Sequence, residues 1–468
     1  MVTSQPKMTV AADCLLENIS RDLEEAMKKR LTIDNPEYQA AKKYGRWIGK
    51  KLKPQLKYYE PLPRGLRFPR GFANQAVLLC RQITGADPEI IDRRRRLAAT
   101  DFEFHGILRP YQRQAVAAVS QHSFGVLEAG TGSGKTVMAL AVIALRRQPA
   151  LVIVHTKELL YQWRQRAEEY LRCPVGVLGD GKADIQPLTI AIVNSARKRV
   201  AELAPLFGHL VVDECHRVPA SLFTDVVSAF DCYYQLGLSA TAFRRDSGMT
   251  RLIYFFMGDR VHKVDSEELA ASGAIVRPEL IRRATPFTFN YQGDYQEMIK
   301  ALVVHEGRNR RIVDDILREA ARPGGGISLV VSDRVSHCQF FVERLATHGL
   351  KVALLTGQQT PEQRAVVVAQ VLGGELQVLV ATIQLIGEGF DCPGLSSLFL
   401  TTPITFEGRL LQIIGRIMRP AAGKQARVFD YVDEAVPTLR RSAWNRRQVL
   451  ETGDREQETG DRGRKTDS

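Results

Sequence analysis

The sequence lacks any paired spacing of cysteine. Its seven cysteines (Cys14, Cys80, Cys173, Cys215, Cys232, Cys338 and Cys392) are odd in number, scattered, and never form a CxxC pair. That excludes a disulfide framework and a cysteine-built zinc site, and it fits a reducing, cytoplasmic setting. Long apolar runs are missing as well, since no stretch approaches the roughly 18 apolar residues of a membrane-spanning helix. The opening residues MVTSQPKMTVAADC show no basic segment followed by an apolar one, so neither a secretory leader nor a membrane partner is expected. Acidic excess is absent too.

What is present is ordinary globular material. Apolar residues make up 44% and charged residues 25% of the 468-residue chain, a balance that excludes global disorder. Lys and Arg number 65 against 52 Asp and Glu, a net charge of +13, which favours a polyanionic partner such as nucleic acid. Much of the surplus is local: residues 1–100 hold 20 basic and 11 acidic residues. From Tyr38 to Arg70 basic residues alternate with aromatics, among them Lys42, Lys43, Tyr44, Arg46, Trp47, Tyr58, Tyr59 and Phe68. Two readings stay open. The rings stack on bases while the cations neutralise phosphates, or the rings form a small core with the cations facing water. The basic run Arg93 to Arg96 ends a helix or bridges to the next domain.

Between Gly125 and Thr136 the chain reads GVLEAGTGSGKT, an apolar run followed by a glycine-rich turn and then the apolar VMALAVIAL. Strand, turn and helix N-terminus in that order make a cradle of backbone N–H groups for nucleotide phosphates. The cradle is Ala129, Gly130, Thr131, Gly132, Ser133 and Gly134, with Ala129 standing where the usual phosphate-loop pattern begins on glycine. Lys135 is placed to reach the β- and γ-phosphates, and the Thr136 hydroxyl to take a Mg²⁺ position. Further on, Leu210-Val211-Val212-Asp213-Glu214-Cys215-His216 is an apolar strand ending in two acids. In a phosphate-loop enzyme Asp213 holds Mg²⁺ through its hydration shell and Glu214 takes a proton from the attacking water.

From Ile107 onward apolar runs alternate with helical patterns, as in a parallel sheet with crossover helices. Strands are expected at Phe124 to Leu127, Ala150 to His155, Leu188 to Val193, Leu210 to Asp213 and Tyr234 to Ser239. A second series, after an irregular region around Phe287 to Gly293, is expected at Ile327 to Val331, Val352 to Leu355, Val378 to Ala381, Leu398 to Thr401 and Val428 to Tyr431. The fold class expected is α/β, in two tandem units. The stretch Glu451 to Ser468 repeats ETGDR and holds no apolar anchor, so it is expected to be disordered.

Taken together the motifs resemble those of the superfamily 2 helicases. LRPYQRQAV (Leu108 to Val116) resembles their adenine-recognising segment, which implies base contacts from Arg109 and Gln112. Asp213 to His216 matches the DExH form of the acidic box, and His216, Ser239 and Thr241 fall where the family couples hydrolysis to movement. VATIQLIGEGFD (Val380 to Asp391) resembles the fifth motif, implying Thr382 on a nucleic-acid phosphate, Gly387 and Gly389 near the nucleotide and Asp391 near its ribose. Gln412 to Arg419 fits Gln-x-x-Gly-Arg-x-x-Arg, implying arginine fingers at Arg416 and Arg419 beside Gln412. By the same resemblance Thr156, Ser195, Thr356 and Gly357 contact strand phosphates. NPEYQAAKKYGRW and Pro69 to Phe72 (PRGF) are similar to the small N-terminal domain of the XPB-like and UvsW-like branch. Where that branch carries Arg-Glu-Asp, this chain has Arg244-Arg245-Asp246, which removes the acid and leaves Arg245 for a phosphate.

The resemblance implies two tandem RecA-like domains with parallel sheets, preceded by a small N-terminal accessory domain that binds DNA. The boundaries expected are 1–100, 101–270 for the ATP-binding domain, 271–447 for the second helicase domain, and 448–468 for the tail. It further implies an ATP- and Mg²⁺-dependent DNA helicase or translocase of repair or recombination. An RNA helicase, the motor subunit of a restriction or repair nuclease assembly, and a binding scaffold with a dead ATPase are the alternatives.

Overall fold

The computed structural model describes residues 5–43, 47, 49, 52–215, 220–240, 248–386, 392, 394–404, 407–421 and 423–452. His216, Thr241, Arg245, Gly387, Gly389 and Asp391 lie outside the described residues, as do Tyr44, Arg46 and the tail from 453 onward. The chain divides into two compact units, Met1–Ala129 with Gly134–Val264, and Asp265–Ser468 with the loop residues Gly130–Ser133.

The first unit contains two large sheets and a two-stranded ribbon of Thr32–Asp34 with Gln55–Lys57. The N-terminal one has five strands in the order Glu60–Leu62, Gly65–Pro69, Asp13–Glu17, Lys7–Val10, Glu89–Asp92. Alternation along these strands turns Met8, Val10, Cys14, Leu16, Leu66 and Phe68 inward, where helices Arg21–Arg30 and Ala73–Thr84 also bury their apolar stripes. The second sheet has eight strands, ordered Lys182–Asp184, Val175–Gly179, Leu188–Ile192, Ala150–Val154, His209–Val212, Tyr234–Ser239, Phe124–Ala129, Arg260–Val264. Apart from the antiparallel Lys182–Asp184 edge its pairings are parallel. All five residues of Ala150–Val154 are buried, as a strand covered on both faces requires.

The two sheets share one apolar core, in which Phe72 and Leu16 belong to the same cluster as Leu151, Val126 and Phe255. The segment Pro69 to Phe72 clasps them together. Arg70 is buried and donates to Cys232 O at 2.7 Å, and Gly71 runs so close to the neighbouring chain that a Cβ would stand 2.5 Å from Gly258 N. The basic run follows a strand rather than ending a helix, and it bridges. Arg94 donates to Ser123 Oγ at 2.6 Å, Arg95 pairs with Asp231, and the Arg94 and Arg96 guanidinium groups lie 4.3 and 3.7 Å from the Tyr233 ring centroid. Of the alternating aromatics, Phe68 is core and Tyr58 packs 5.5 Å from Phe255, centroid to centroid, whereas Trp47 is 89% exposed.

The second unit carries a six-stranded sheet in the order Glu279–Ala284, Arg427–Val432, Leu395–Leu400, Ile327–Ser332, Val378–Thr382, Val352–Leu355, with every pairing parallel. This sheet begins earlier than the sequence suggests, at Glu279. The region around Phe287 to Gly293 is irregular, as expected, with neither helix nor strand, and Phe287 within it is buried in a cluster with Met298, Leu302 and Leu439. Its edge strand exposes Arg282 and Arg283, charges that deter edge-to-edge pairing. Two buried ion pairs tie helices to the sheet: Arg308 with Asp433 at 2.8 Å and Arg446 with Asp430 at 2.7 Å. The last helix, Pro437–Thr452, continues past residue 448, where the tail was expected to start.

His337 sits in this interior, its Nδ1 3.0 Å from Ser332 Oγ and its Nε2 3.0 Å from Asn309 Oδ1. Burial, reinforced by the Arg308 charge, pushes the ring down to about 3. The unfolded chain takes up that proton near its ordinary value of about 6.5, so stability present at neutral pH is lost as pH falls below that point. Going from about pH 7.5 to about 5.5, wild type should lose about 1.4 kcal/mol more unfolding free energy than His337→Gln. Denaturant titrations at the two pH values read this directly, and equal losses would refute it.

Candidate functional site

Strand Phe124–Ala129 delivers the chain to the glycine-rich loop, and helix Lys135–Arg146 carries it away. Gly134 caps that helix at φ 80°, and a Cβ there would stand 2.4 Å from Gln112 Nε2. Gly134 therefore meets two demands, a left-handed backbone and a close neighbour, that no other residue satisfies. Lys135 and Thr136 open the helix, where the first N–H groups have no partner within the helix.

Opposite the loop, strand His209–Val212 ends at Asp213 and Glu214. Lys135 Nζ lies 3.5 Å from Glu214 Oε1 and donates to Ala129 O at 3.0 Å. Glu214 has a φ of 46°, and this turn directs its N–H onto Asp213 Oδ1 at 2.9 Å. The other oxygen, Asp213 Oδ2, accepts from Trp163 Nε1 at 2.7 Å. Both oxygens of this buried carboxylate thus receive donors. Burial first, then the Glu214 charge, push the Asp213 carboxyl upward, while the Trp163 bond and Lys135 oppose the shift. Asp213 N–H donates to Ile153 O and Cys215 N–H to Leu238 O, at 2.9 and 3.0 Å, which locks the acidic turn between two neighbouring strands.

Gln112 is buried and accepts from Arg109 N–H at 2.9 Å, while Arg109 itself is exposed at the helix start. Ser239, buried at the end of its strand, pairs in register with Glu128, next to Ala129. Gly130, Thr131, Gly132 and Ser133 form the loop itself, with Ser133 buried and Gly132 at φ 87°.

The residues expected on strand phosphates stand at carboxyl ends of parallel strands, in each unit separately. In the first, Thr156 follows Ala150–Val154, and its hydroxyl accepts from Leu159 N–H at 3.3 Å as a helix cap. Ser195 is half-buried within the short helix Val193–Lys198. In the second, Thr356 is buried, with its N–H donating to Gln359 Oε1 at 2.9 Å. Gly357 has open space where a Cβ would be, and Thr382 ends its strand in register with Ser332. Helix Glu407–Ile417 carries Gln412 and Arg416, the latter 9% exposed, and Arg419 follows it half-buried. Lys424 donates to Arg419 O at 2.6 Å. Burial pushes that amine down to about 8, and the Arg419 charge adds to the shift while Cys392 opposes it.

Trp163 is the residue sequence reasoning missed. A signal existed, because Leu160, Trp163, Ala167 and Leu171 form the buried stripe of helix Lys157–Leu171, and a buried indole N–H needs an acceptor. Among the described residues there is no cluster of His, Cys, Asp and Glu that could hold a metal ion by itself, and no helix is long and apolar enough to cross a membrane.

Comparison with known proteins adds the following. Residues 105–244 match the family model described as type III restriction enzyme, res subunit, and residues 308–421 the helicase conserved C-terminal domain. The DNA 3'-5' translocase XPB2 of Sulfurisphaera tokodaii is 25% identical over 375 residues, 72% of this chain and 83% of that protein. The general transcription and DNA repair factor IIH helicase/translocase subunit XPB of Antonospora locustae is 22% identical over 250 residues, half of this chain and a third of that one. Mycobacterium smegmatis helicase Lhr, solved bound to single-stranded DNA and AMP-PNP, shares the fold at a TM-score of 0.51 and 18% identity, over 74% of this chain and 48% of that chain.

Trp163→Phe removes the N–H donor and also part of the buried ring, so its cost combines a cavity with the lost bond. In a cycle with Asp213→Ala, which removes the acceptor, denaturant unfolding should return a coupling of about 1.5–3 kcal/mol, the usual value of a hydrogen bond to a charged group. An equally large loss in the Ala background would mean the bond contributes nothing.

Proposed function

We propose that this chain is a superfamily 2 helicase, an ATP-dependent DNA helicase or translocase acting in repair or recombination, a reading supported by its two matched helicase segments and its XPB relatives. The single observation that carries the catalytic reading is the meeting of Lys135, Asp213 and Glu214 at the mouth of the glycine-rich loop. The residues present fit a magnesium nucleotide. Lys135 is partnered by two oxygens that a phosphate would replace, and Gln112 leaves no room for a side chain at Gly134.

When bound, ATP would supply the phosphoanhydride whose hydrolysis drives movement, and Mg²⁺ would offset the negative charge of its phosphates. Thr136 and Asp213 would hold the metal, Lys135 and the N–H groups of Gly130 to Gly134 the phosphates, and Arg109 with Gln112 the adenine. Glu214, turned towards Lys135 by its left-handed backbone, accepts the proton of the attacking water on a side-chain oxygen. Trp163 keeps the neighbouring carboxylate aimed while this happens. Gln412, Arg416 and Arg419 are assigned to transition-state charge on the strength of their motif. Gly387, Gly389 and Asp391 are assigned to the nucleotide, and His216, Ser239 and Thr241 to coupling. Thr156, Ser195, Arg245, Thr356, Gly357 and Thr382 are assigned to the strand backbone, where contacts set register without reading sequence. The 3' to 5' direction named for the Sulfurisphaera relative is proposed here too. All seven cysteines are free, which supports a reducing, cytoplasmic location.

ATP hydrolysis should rise on adding single-stranded or forked DNA, and a strand-displacement assay on matched DNA and RNA substrates identifies the track. Stimulation by RNA alone would replace DNA with RNA in this reading, and no stimulation by either would end it. Lys135→Ala should abolish turnover. Glu214→Gln should retain nucleotide binding and lose on the order of 10²–10⁴ in turnover, and full activity in either variant would overturn the site.

A further inference from the structure

The helix Pro437–Thr452 is strongly basic. Residues 437–450 contain Arg440, Arg441, Arg446 and Arg447 and no acid, and like charges this close on a helix repel. Arg446 is the structural one. It is buried, reaches Asp430 at 2.7 Å, Ser442 Oγ at 3.2 Å and Tyr431 O at 3.4 Å, and so fastens the helix to strand Arg427–Val432. Leu439 and Ala443 complete the buried side. Arg440, Arg441 and Arg447 are exposed, and between them Trp444 stands 58% exposed. The i, i+4, i+7 spacing of Arg440, Trp444 and Arg447 puts a flat ring between two cations on one face.

Beside that face lies a cleft of about 190 Å³. Its apolar floor is Ile404 and Leu410, both buried, its wall is Tyr295, and Arg441 and Asn445 stand at its mouth. The cleft opens where strands Leu395–Leu400 and Arg427–Val432 end. In the sheet order, the carboxyl ends of the next three strands are Ser332, Thr382 and the residue before Thr356. The carboxyl ends of these strands, Thr382 and the turn at Thr356 among them, therefore lie along one rim of the sheet of the second unit, with the cleft at its far end.

We propose that this helix is a single-strand grip: one unstacked base enters the cleft, Trp444 stacks on a neighbouring base, and Arg440, Arg441 and Arg447 hold the flanking phosphates. The occupant is a nucleic-acid strand because the surface pairs cations with an exposed aromatic platform and a cleft that has an apolar floor and polar edges, the combination that single strands need and duplex backbones do not. The inference rests on the nucleic-acid reading given above and extends it to residues outside every motif.

The test is fluorescence anisotropy of a labelled oligo-dT with the full chain, beside DNA-stimulated ATPase. Trp444→Ala should weaken binding by roughly fivefold or more, the effect of removing one base stack, and Trp444→Phe should restore most of it. Arg440→Ala with Arg441→Ala should flatten the plot of log affinity against log salt by about 1.4, at about 0.7 for each phosphate no longer neutralised. ATP hydrolysis without DNA, and the denaturant midpoint, should stay unchanged in all three variants. Wild type should also prefer dT to an abasic oligomer of equal length, a preference that Trp444→Ala reduces.

Wild-type binding that none of the variants weakens overturns the grip and leaves the proposed function standing. Binding lost in the variants by a wild type that never hydrolyses ATP overturns the proposed function and leaves the grip. No oligonucleotide binding by wild type overturns both. Equal loss towards polyglutamate would mark a plain anion patch and overturn the grip.

Discussion

A carboxylate held inside a protein must have each oxygen met by a donor, or burial neutralises it and its chemistry is lost. Asp213 is the place where this chain meets that constraint, with one oxygen on the Glu214 backbone and the other on the Trp163 indole. The turn that supplies the first donor also brings Glu214 towards Lys135, so the placement of Glu214 and the satisfaction of Asp213 come from one backbone geometry. The strands flanking this turn hold it by hydrogen bonds from Asp213 and Cys215. A parallel sheet provides that support because adjacent strands end together at one rim, where neighbouring loops meet.

The second unit uses buried carboxylates to a different end. Arg308 with Asp433 and Arg446 with Asp430 are nearly sealed from water, and both pairs join a helix to the carboxyl end of a strand or the residue just past it. Such pairs are weak contributors to net stability but costly to break singly. They hold the two helices in one orientation against the sheet, which a sliding apolar contact would not do.

Much of this was legible because its physics is local. The run Ala150–Val154 is apolar at every position, as a strand covered on both faces must be, and the glycine-rich loop announces itself by the conformations it demands. What stayed hidden depends on partners remote in sequence. Glu279–Ala284 reads as polar and yet is an edge strand, since only its pairing with Arg427–Val432 makes it one. Thr156 is ambiguous in sequence because a helix cap and a phosphate contact ask for the same hydroxyl, and here the hydroxyl meets Leu159. The alternating aromatics divided, with Tyr58 and Phe68 packing inward while Trp47 stayed exposed, because alternation cannot say which side of a fold faces water. Trp163 was invisible for the plainest reason, its acceptor being 50 positions away.

The shared core of the first unit has a practical bearing on how the protein can be taken apart. Phe72 packs on Phe255, and Arg94 and Arg96 close over Tyr233, so the N-terminal sheet is a wall of the nucleotide-binding body rather than an appendage. Trimming the gene to its recognisable motifs would strip that wall and leave greasy surface bare to solvent. A minimal fragment cut near residue 100 is therefore a recipe for inclusion bodies, and evolution cannot shuffle this module as freely as its separate sheet suggests.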